Sequence, residues 1–203
     1  MDNNEIKLLS DVANIVLGLL FRVKPSYVRD GGMPVIQLKD ISWQGRIDWA
    51  GLSRVQVGSV NPRFLLKEGD ILVKTKGDRH NAVVMPKIEN SLIFTSQLVM
   101  LRVKKPEMLS PAYLAWYINE PAQPYITQVS AGTKIQNLSV NGLSKLPIEV
   151  PPIDVQRKIV RLLELQRTEK ELVHGILDRR EKIIRSLLLS KFETIVVTKE
   201  KLK

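Results

Sequence analysis

Asp70 and Lys74 sit four residues apart in 66–77 (LKEGDILVKTKG), a spacing that invites comparison with the carboxylate and lysine of a nuclease. The acid that should precede a catalytic lysine by two positions is Leu72, so that chemistry lacks a carboxylate. The chain holds two histidines, His80 and His174, and no cysteine. A histidine metal cluster or a Ser-His-Asp triad therefore has almost no raw material, and a thiolate site or disulfide framework is excluded. Both histidines read as surface or packing residues. Amino-group methylation would require a glycine-rich loop for S-adenosylmethionine and an Asn or Asp followed by Pro-Pro and an aromatic. Residues 121–125 (PAQPY) lack the leading amide or acid and the paired prolines, and read instead as a break between helices. No Gly-x-x-x-x-Gly-Lys-Ser/Thr loop is present to cradle a nucleotide phosphate. The residues point to no catalytic centre and no metal site, which leaves recognition as the chemistry to look for.

Charge narrows what is recognised. Lysine and arginine total 31 against 21 acids in 203 residues, a formal net charge of +10 with a pI near 9.8. Such a balance favours a polyanionic partner, nucleic acid or an acidic membrane face. The excess is no mere tail: 18 basic residues face 13 acids before residue 151, and 13 face 8 after it. The apolar stretch 12–21 is interrupted by Asn14 and Gly18 and falls short of the roughly 20 residues a bilayer span needs. No segment has the pattern of a secretory signal, and the absence of cysteine fits a reducing compartment. A cytoplasmic protein without a membrane partner is expected.

The elements that must position any recognition residues fall into two textures. Up to about residue 150 the chain carries most of its prolines, glycines and aromatics, and reads as short elements between turns. Strands are expected at 33–38, at 64–66 and 71–74 on either side of Glu68-Gly69-Asp70, at 82–85 and at 98–103. Gly69 offers the positive φ of a hairpin connection. Ser110-Pro111 predicts a helix start, with 112–119 continuing until Pro121, and a short helix is plausible at 6–12. The fold class expected is α+β: a mostly β globular domain with a few helices, over residues 1–150.

After Pro151-Pro152 the texture changes to a long helix over 151–192, followed by a tail at 193–203. Ile159, Leu163, Val173, Leu177, Ile184 and Leu188 recur at three- and four-residue steps and form a stripe suited to a partner helix. Polar insertions at 166–171 (QRTEKE) and 178–182 (DRREK) would fix register or partner at some cost in stability. The alternative is a helix packed back on its own domain. A length on the order of 55 Å exceeds the width of so small a domain and argues for a second chain.

Several segments together resemble the specificity subunits of type I restriction-modification systems. They are 8–15 (LLSDVANI) with Gly18, 34–41 (PVIQLKDI), 66–77, 109–119 (LSPAYLAWYIN), 132–138 (GTKIQNL) and 143–163 (LSKLPIEVPPIDVQRKIVRLL). The last is the most specific: a Leu-Pro-x-x-x-Pro-Pro passage running into Gln-Arg-x-Ile-Val at a helix start. The resemblance implies a target-recognition domain that reads a DNA half-site, joined to a conserved spacer helix. Whole subunits of the family carry two of each, and this chain carries one of each, so the resemblance implies a half that dimerises, binds another half or is a non-functional remnant. The apolar stripe favours pairing, and a homodimer would read an interrupted palindrome. It further implies a non-catalytic role and no cofactor of its own. A methyltransferase partner would bring S-adenosylmethionine, with a restriction subunit as a further candidate partner. For contacts to double-stranded DNA the sequence offers Arg46, Lys74, Lys76, Arg79, Lys134, Gln136 and Asn137, with Trp43 as an aromatic neighbour. The competing reading is an interaction protein that binds other specificity or methyltransferase subunits and modulates assembly without reading DNA.

Overall fold

The computed structural model describes residues 5–21, 27, 28, 30–42, 45–77, 79–130 and 137–200, with side chains of the last helix described to residue 189. In chain order the elements are β1 (Glu5–Leu8), α1 (Leu9–Val12), β2 (Ala13–Leu17), β3 (Tyr27–Val28), β4 (Met33–Ile36), β5 (Ser53–Val55), β6 (Ile71–Lys74), β7 (Ala82–Val84), β8 (Ile93–Phe94), β9 (Leu98–Val103), α2 (Pro111–Asn119), α3 (Gln123–Ser130), α4 (Val140–Ser144), β10 (Pro147–Val150) and α5 (Ile153–Glu200). Short 3-10 turns occupy Leu38–Asp40 and Pro62–Phe64. The chain divides into two compact units, Met1–Val160 and Arg161–Lys203. The class is α+β, with a β-rich unit and a long C-terminal helix.

A four-stranded antiparallel sheet in the order β2-β9-β6-β7 organises the first unit. Its two central strands are apolar on both faces, so they read as continuous runs rather than alternating ones. The period of two still sorts the side chains. Val99, Leu101, Ile71 and Val73 join a cluster with Leu114, Ile118, Leu143 and Ile148 from α2, α4 and β10. Leu98, Met100 and Leu72 point the other way, toward Ile36, Ile41, Leu92 and Phe94. Each fully buried side chain of this kind contributes roughly 1.5–3 kcal/mol, so the sheet is held from both sides. A second sheet, β3-β5-β4-β8, adds a third cluster around Val35, Val55 and Ile93.

Local rules explain most boundaries. Ser110 accepts from the Tyr113 N–H at the head of α2, and Pro111 occupies the first turn. Asn119 ends the same helix and covers the edge of β7: its Oδ1 accepts from the Ala82 N–H at 2.8 Å and its Nδ2 donates to the Ala82 carbonyl at 2.9 Å. Residues 120–122 separate α2 from α3, so the break expected over 121–125 is confined to its first two residues, and Gln123, Pro124 and Tyr125 form the start of α3. Gly18 has no substitute, because a Cβ there would lie 2.2 Å from the Thr95 carbonyl oxygen.

Four expectations need correction. The hairpin between 64–66 and 71–74 does not form. Asn61 caps Pro62–Phe64 into a 3-10 turn, Gly69 turns the chain at φ +81°, and β6 pairs with β7 and β9. The strand expected to reach residue 38 stops at Ile36, because Asp40 folds back on the Gln37 N–H. The helix expected at 6–12 is a strand, β1, followed by a single turn, because β10 captures residues 5–8 in antiparallel register from Glu5↔Val150 to Leu8↔Pro147. Last, α5 continues to Glu200, through most of the segment expected to be a tail.

The start of α5 belongs to the first unit. Gln156 is fully buried: its Oε1 accepts from the Ser110 N–H, and its Nε2 donates to the Met108 and Pro151 carbonyls, each at 2.8 Å. Ile159 and Val160 complete the apolar contact of these first turns with the core.

Candidate nucleic-acid interface

Strand β6 leaves the core at Lys74, and the next two residues bind three segments together. Thr75 is buried and donates to the Gln97 carbonyl from both its N–H, at 3.1 Å, and its hydroxyl, at 2.9 Å. Its own carbonyl accepts from the Leu138 N–H at 2.8 Å, while the Lys76 main chain bridges to Asn137. Opposite, β4 ends at Ile36, whose carbonyl accepts from the Thr95 N–H, and the chain enters the turn Leu38–Asp40. Asp40 is buried and accepts from the Gln37 N–H at 2.8 Å. Burial raises its carboxyl above the ordinary value, against the lowering pull of that bond and of Lys39.

Between these walls lies an open cleft of about 430 Å³ lined by Gln37, Leu38, Lys39, Ile41, Lys74 and Gln97. Lys74 Nζ reaches across it to the Ile41 carbonyl at 3.3 Å. The lining holds two ammonium groups and two carboxamides and no carboxylate, so it suits an anion flanked by groups that offer hydrogen bonds. His80 lies behind Lys74. Its Nδ1 is 2.9 Å from the Lys74 carbonyl, which only accepts, so that nitrogen carries the proton. Burial, reinforced by the Lys74 charge, lowers its pKa, and Nε2 has no partner among the described residues. His80 is thus a neutral packing residue, as expected. Among the described residues no group of three or more His, Asp or Glu could hold a metal ion.

Of the residues selected from sequence, Lys74, Lys76 and Asn137 come together at this end of β6, and Lys76 and Asn137 are exposed. Arg46 is exposed in the loop that returns to Ile41, its N–H donating to Ser42 Oγ at 3.0 Å and its carbonyl accepting from the Ser42 N–H. Arg79 is exposed and faces Glu120 at 3.7 Å, an ion pair that divides its charge between partners. Lys134, Gln136 and Trp43 lie outside the described residues. Sequence reasoning missed Gln37, Lys39 and Gln97. The only available signal was polar residues closing runs of apolar ones, as Ser96-Gln97 does between Ile93–Phe94 and β9.

The helical stripe divides. Ile159 packs partly against the core of its own unit, so it is not a free seam position, and Leu163 is half-buried. Val173, Leu177, Ile184 and Leu188 are exposed, Leu188 to 66%. Leu162, Leu172, Ile176, Ile183 and Leu187 are exposed beside them. No helix among the described residues is long and apolar enough to cross a membrane.

The described chain thus holds a β-rich unit and a long helix whose apolar stripe is exposed. The sequence matches the family model described as type I restriction modification DNA specificity domain over residues 1–179, and the chain belongs to that family, one of non-catalytic specificity subunits. No curated protein matches the sequence. Among solved structures, the HsdS subunit from Thermoanaerobacter tengcongensis is similar, with TM-score 0.57 and 20% identity over 82% of this chain and 37% of that one. The type I restriction-modification S subunit from M. genitalium is similar with TM-score 0.56 and 16% identity, over 81% of this chain and 39% of that one. A chain from work on complex assembly and conformational transition of the type I R-M system aligns with TM-score 0.60 and 19% identity, over 82% and 38%. The chain therefore spans less than two-fifths of the length of these solved relatives.

Proposed function

We propose that this chain reads one half-site of a bipartite DNA sequence and, paired with a second copy, positions a methyltransferase on it. In this reading residues 1–150 are the reader and the helix over 151–192 is the spacer. The observation that carries it is the cleft at the end of β6, where Lys39 and Lys74 flank two carboxamides with no acid in the lining. Cations of this kind grip phosphates and set orientation, while carboxamides can discriminate base edges. The net charge of +10 supports the same partner.

Pairing is supported by the exposed stripe of Val173, Leu177, Ile184 and Leu188, which water disfavours and a twin helix would cover. Two readers related by a twofold axis read the same half-site in opposite directions, so the sequence recognised is an interrupted palindrome. The catalytic partner supplies S-adenosylmethionine and flips the target base, a restriction subunit joins where cleavage accompanies methylation, and the assembly works in the cytoplasm. A structural relative comes from work on complex assembly of the type I R-M system, in keeping with action within an assembly.

Genome-wide methylation mapping with and without the gene tests this. The expected result is loss of one palindromic, gapped methylation pattern on deletion. An unchanged pattern refutes the reading. A pattern that gains sites on deletion favours the alternative, a protein that restrains assembly.

A further inference from the structure

Charge in the cleft cannot choose a sequence, because an ammonium group on a phosphate binds every duplex alike. Discrimination needs a planar group that donates and accepts at once, and the lining offers two, Gln37 and Gln97. Gln37 is half-buried beside the Asp40 turn, and Gln97 is exposed. The carboxamide of Gln97 has no hydrogen-bond partner among the described residues.

The backbone beneath Gln97 is unusually well fixed. The Thr95 N–H donates to the Ile36 carbonyl at 3.0 Å, the Ser96 N–H to the Leu19 carbonyl at 2.9 Å, and the Leu98 N–H closes the turn on the Thr95 carbonyl at 2.9 Å. The Gln97 carbonyl itself accepts twice from Thr75. The next residue, Leu98, is fully buried and paired with Lys74. A flexible side chain is thus mounted on a turn that is pinned to both sheets, so little conformational freedom is left to be lost from the backbone on binding.

We infer that Gln97 is a specificity-determining residue that reads an adenine in the major groove, with Lys39 and Lys74 gripping the flanking backbone. Its Oε1 would accept from the adenine N6 amino group while its Nε2 donates to N7. This rests on the DNA-reading function proposed above and adds the base and the residue that reads it.

Selection of the full chain on a randomised duplex pool, at one fixed salt concentration, tests both levels. The unsubstituted chain is expected to enrich a motif with adenine at one position of each half-site. Q97A should reduce discrimination at that position alone by roughly tenfold. Q97E should move the preference there toward cytosine, whose N4 amino group a carboxylate accepts. K39A should weaken all sequences uniformly. An unchanged motif with Q97A, or relaxation spread over many positions, overturns the role of Gln97 and leaves DNA reading intact. Failure of the unsubstituted chain to enrich any duplex overturns the reading function itself. Gln97 is exposed, so an unchanged thermal melt for Q97A is expected to confirm that the fold is preserved.

Discussion

Arg102 grips Asp70 with two nitrogens, Nε on Oδ1 and Nη2 on Oδ2, both at 2.7 Å. The same carboxylate accepts from the Lys67 N–H at 2.7 Å, and Arg102 Nη2 also donates to the Leu65 carbonyl at 3.1 Å. One ion pair thus ties the Gly69 turn to β9. The Asp70 bond raises the Arg102 pKa further, so the guanidinium stays charged at any working pH. Asp70 is 1% exposed and Arg102 30% exposed, so removing the carboxylate leaves a partly wet cation. The expected cost of Asp70→Asn is near the lower end for broken buried pairs, about 2–3 kcal/mol. Urea denaturation checks this, and an unchanged midpoint would show that the pair contributes nothing.

Gln156 predicts a different kind of loss. Gln156→Ala strips partners from the Ser110 N–H and from the Met108 and Pro151 carbonyls, all in a site closed to water. Unmet buried groups cost about 1–3 kcal/mol each before relaxation. A net destabilisation of about 2–4 kcal/mol is expected, against a few tenths for an exposed control such as Gln166→Ala.

The buried His80 sets a pH dependence. Its folded pKa lies below the ordinary 6.5, chiefly through burial. The unfolded chain therefore takes up a proton first as pH falls, so this contribution is fully present above pH 6.5 and shrinks below it. Stability measured from pH 7.5 to 5 should decline over that interval, and His80→Asn should flatten the decline. Parallel curves for the two proteins would contradict the assignment.

DNA binding should carry the signature of phosphate contacts. Lys39→Gln and Lys76→Gln are each expected to reduce the slope of log K against log salt by about 0.9, whatever the duplex sequence. Fluorescence anisotropy over 50–300 mM salt measures it. A slope that does not move places that lysine away from the backbone.

Pairing through the helix has a direct readout. Leu177→Glu with Ile184→Glu puts charges on an apolar stripe whose side chains are already exposed within one chain, so the monomer fold should survive. Light scattering should report half the mass of the unsubstituted protein, while circular dichroism keeps the globular signal. Unchanged mass removes helix pairing.

What was legible in the sequence follows the range of the interactions. β6, β9 and α2 were visible because their signals are local: an apolar run, a cap, a proline at the first turn. The stripe from Val173 to Leu188 was visible for the same reason. Residues 5–8 were not, because their partner in β10 lies some 140 residues away, and pairing at that distance overrides a weak helical tendency. The cleft was half visible. Lys74 stood out beside an apolar strand, but Gln37 and Gln97 become neighbours of it only through the Ile36–Thr95 and Thr75–Gln97 hydrogen bonds. Polar residues acquire meaning from such contacts, and no spacing along the chain encodes them.

The pairing of β1 with β10 has an effect on how this protein can change. Because Glu5 lies against Val150, the chain begins and finishes its globular circuit at nearly one spot, fastened like a clasp. A module closed in this way can be lifted out and another set in its place without stretching the flanking chain. Residues 5–150 should therefore exchange as a cassette while leaving the helix that follows untouched.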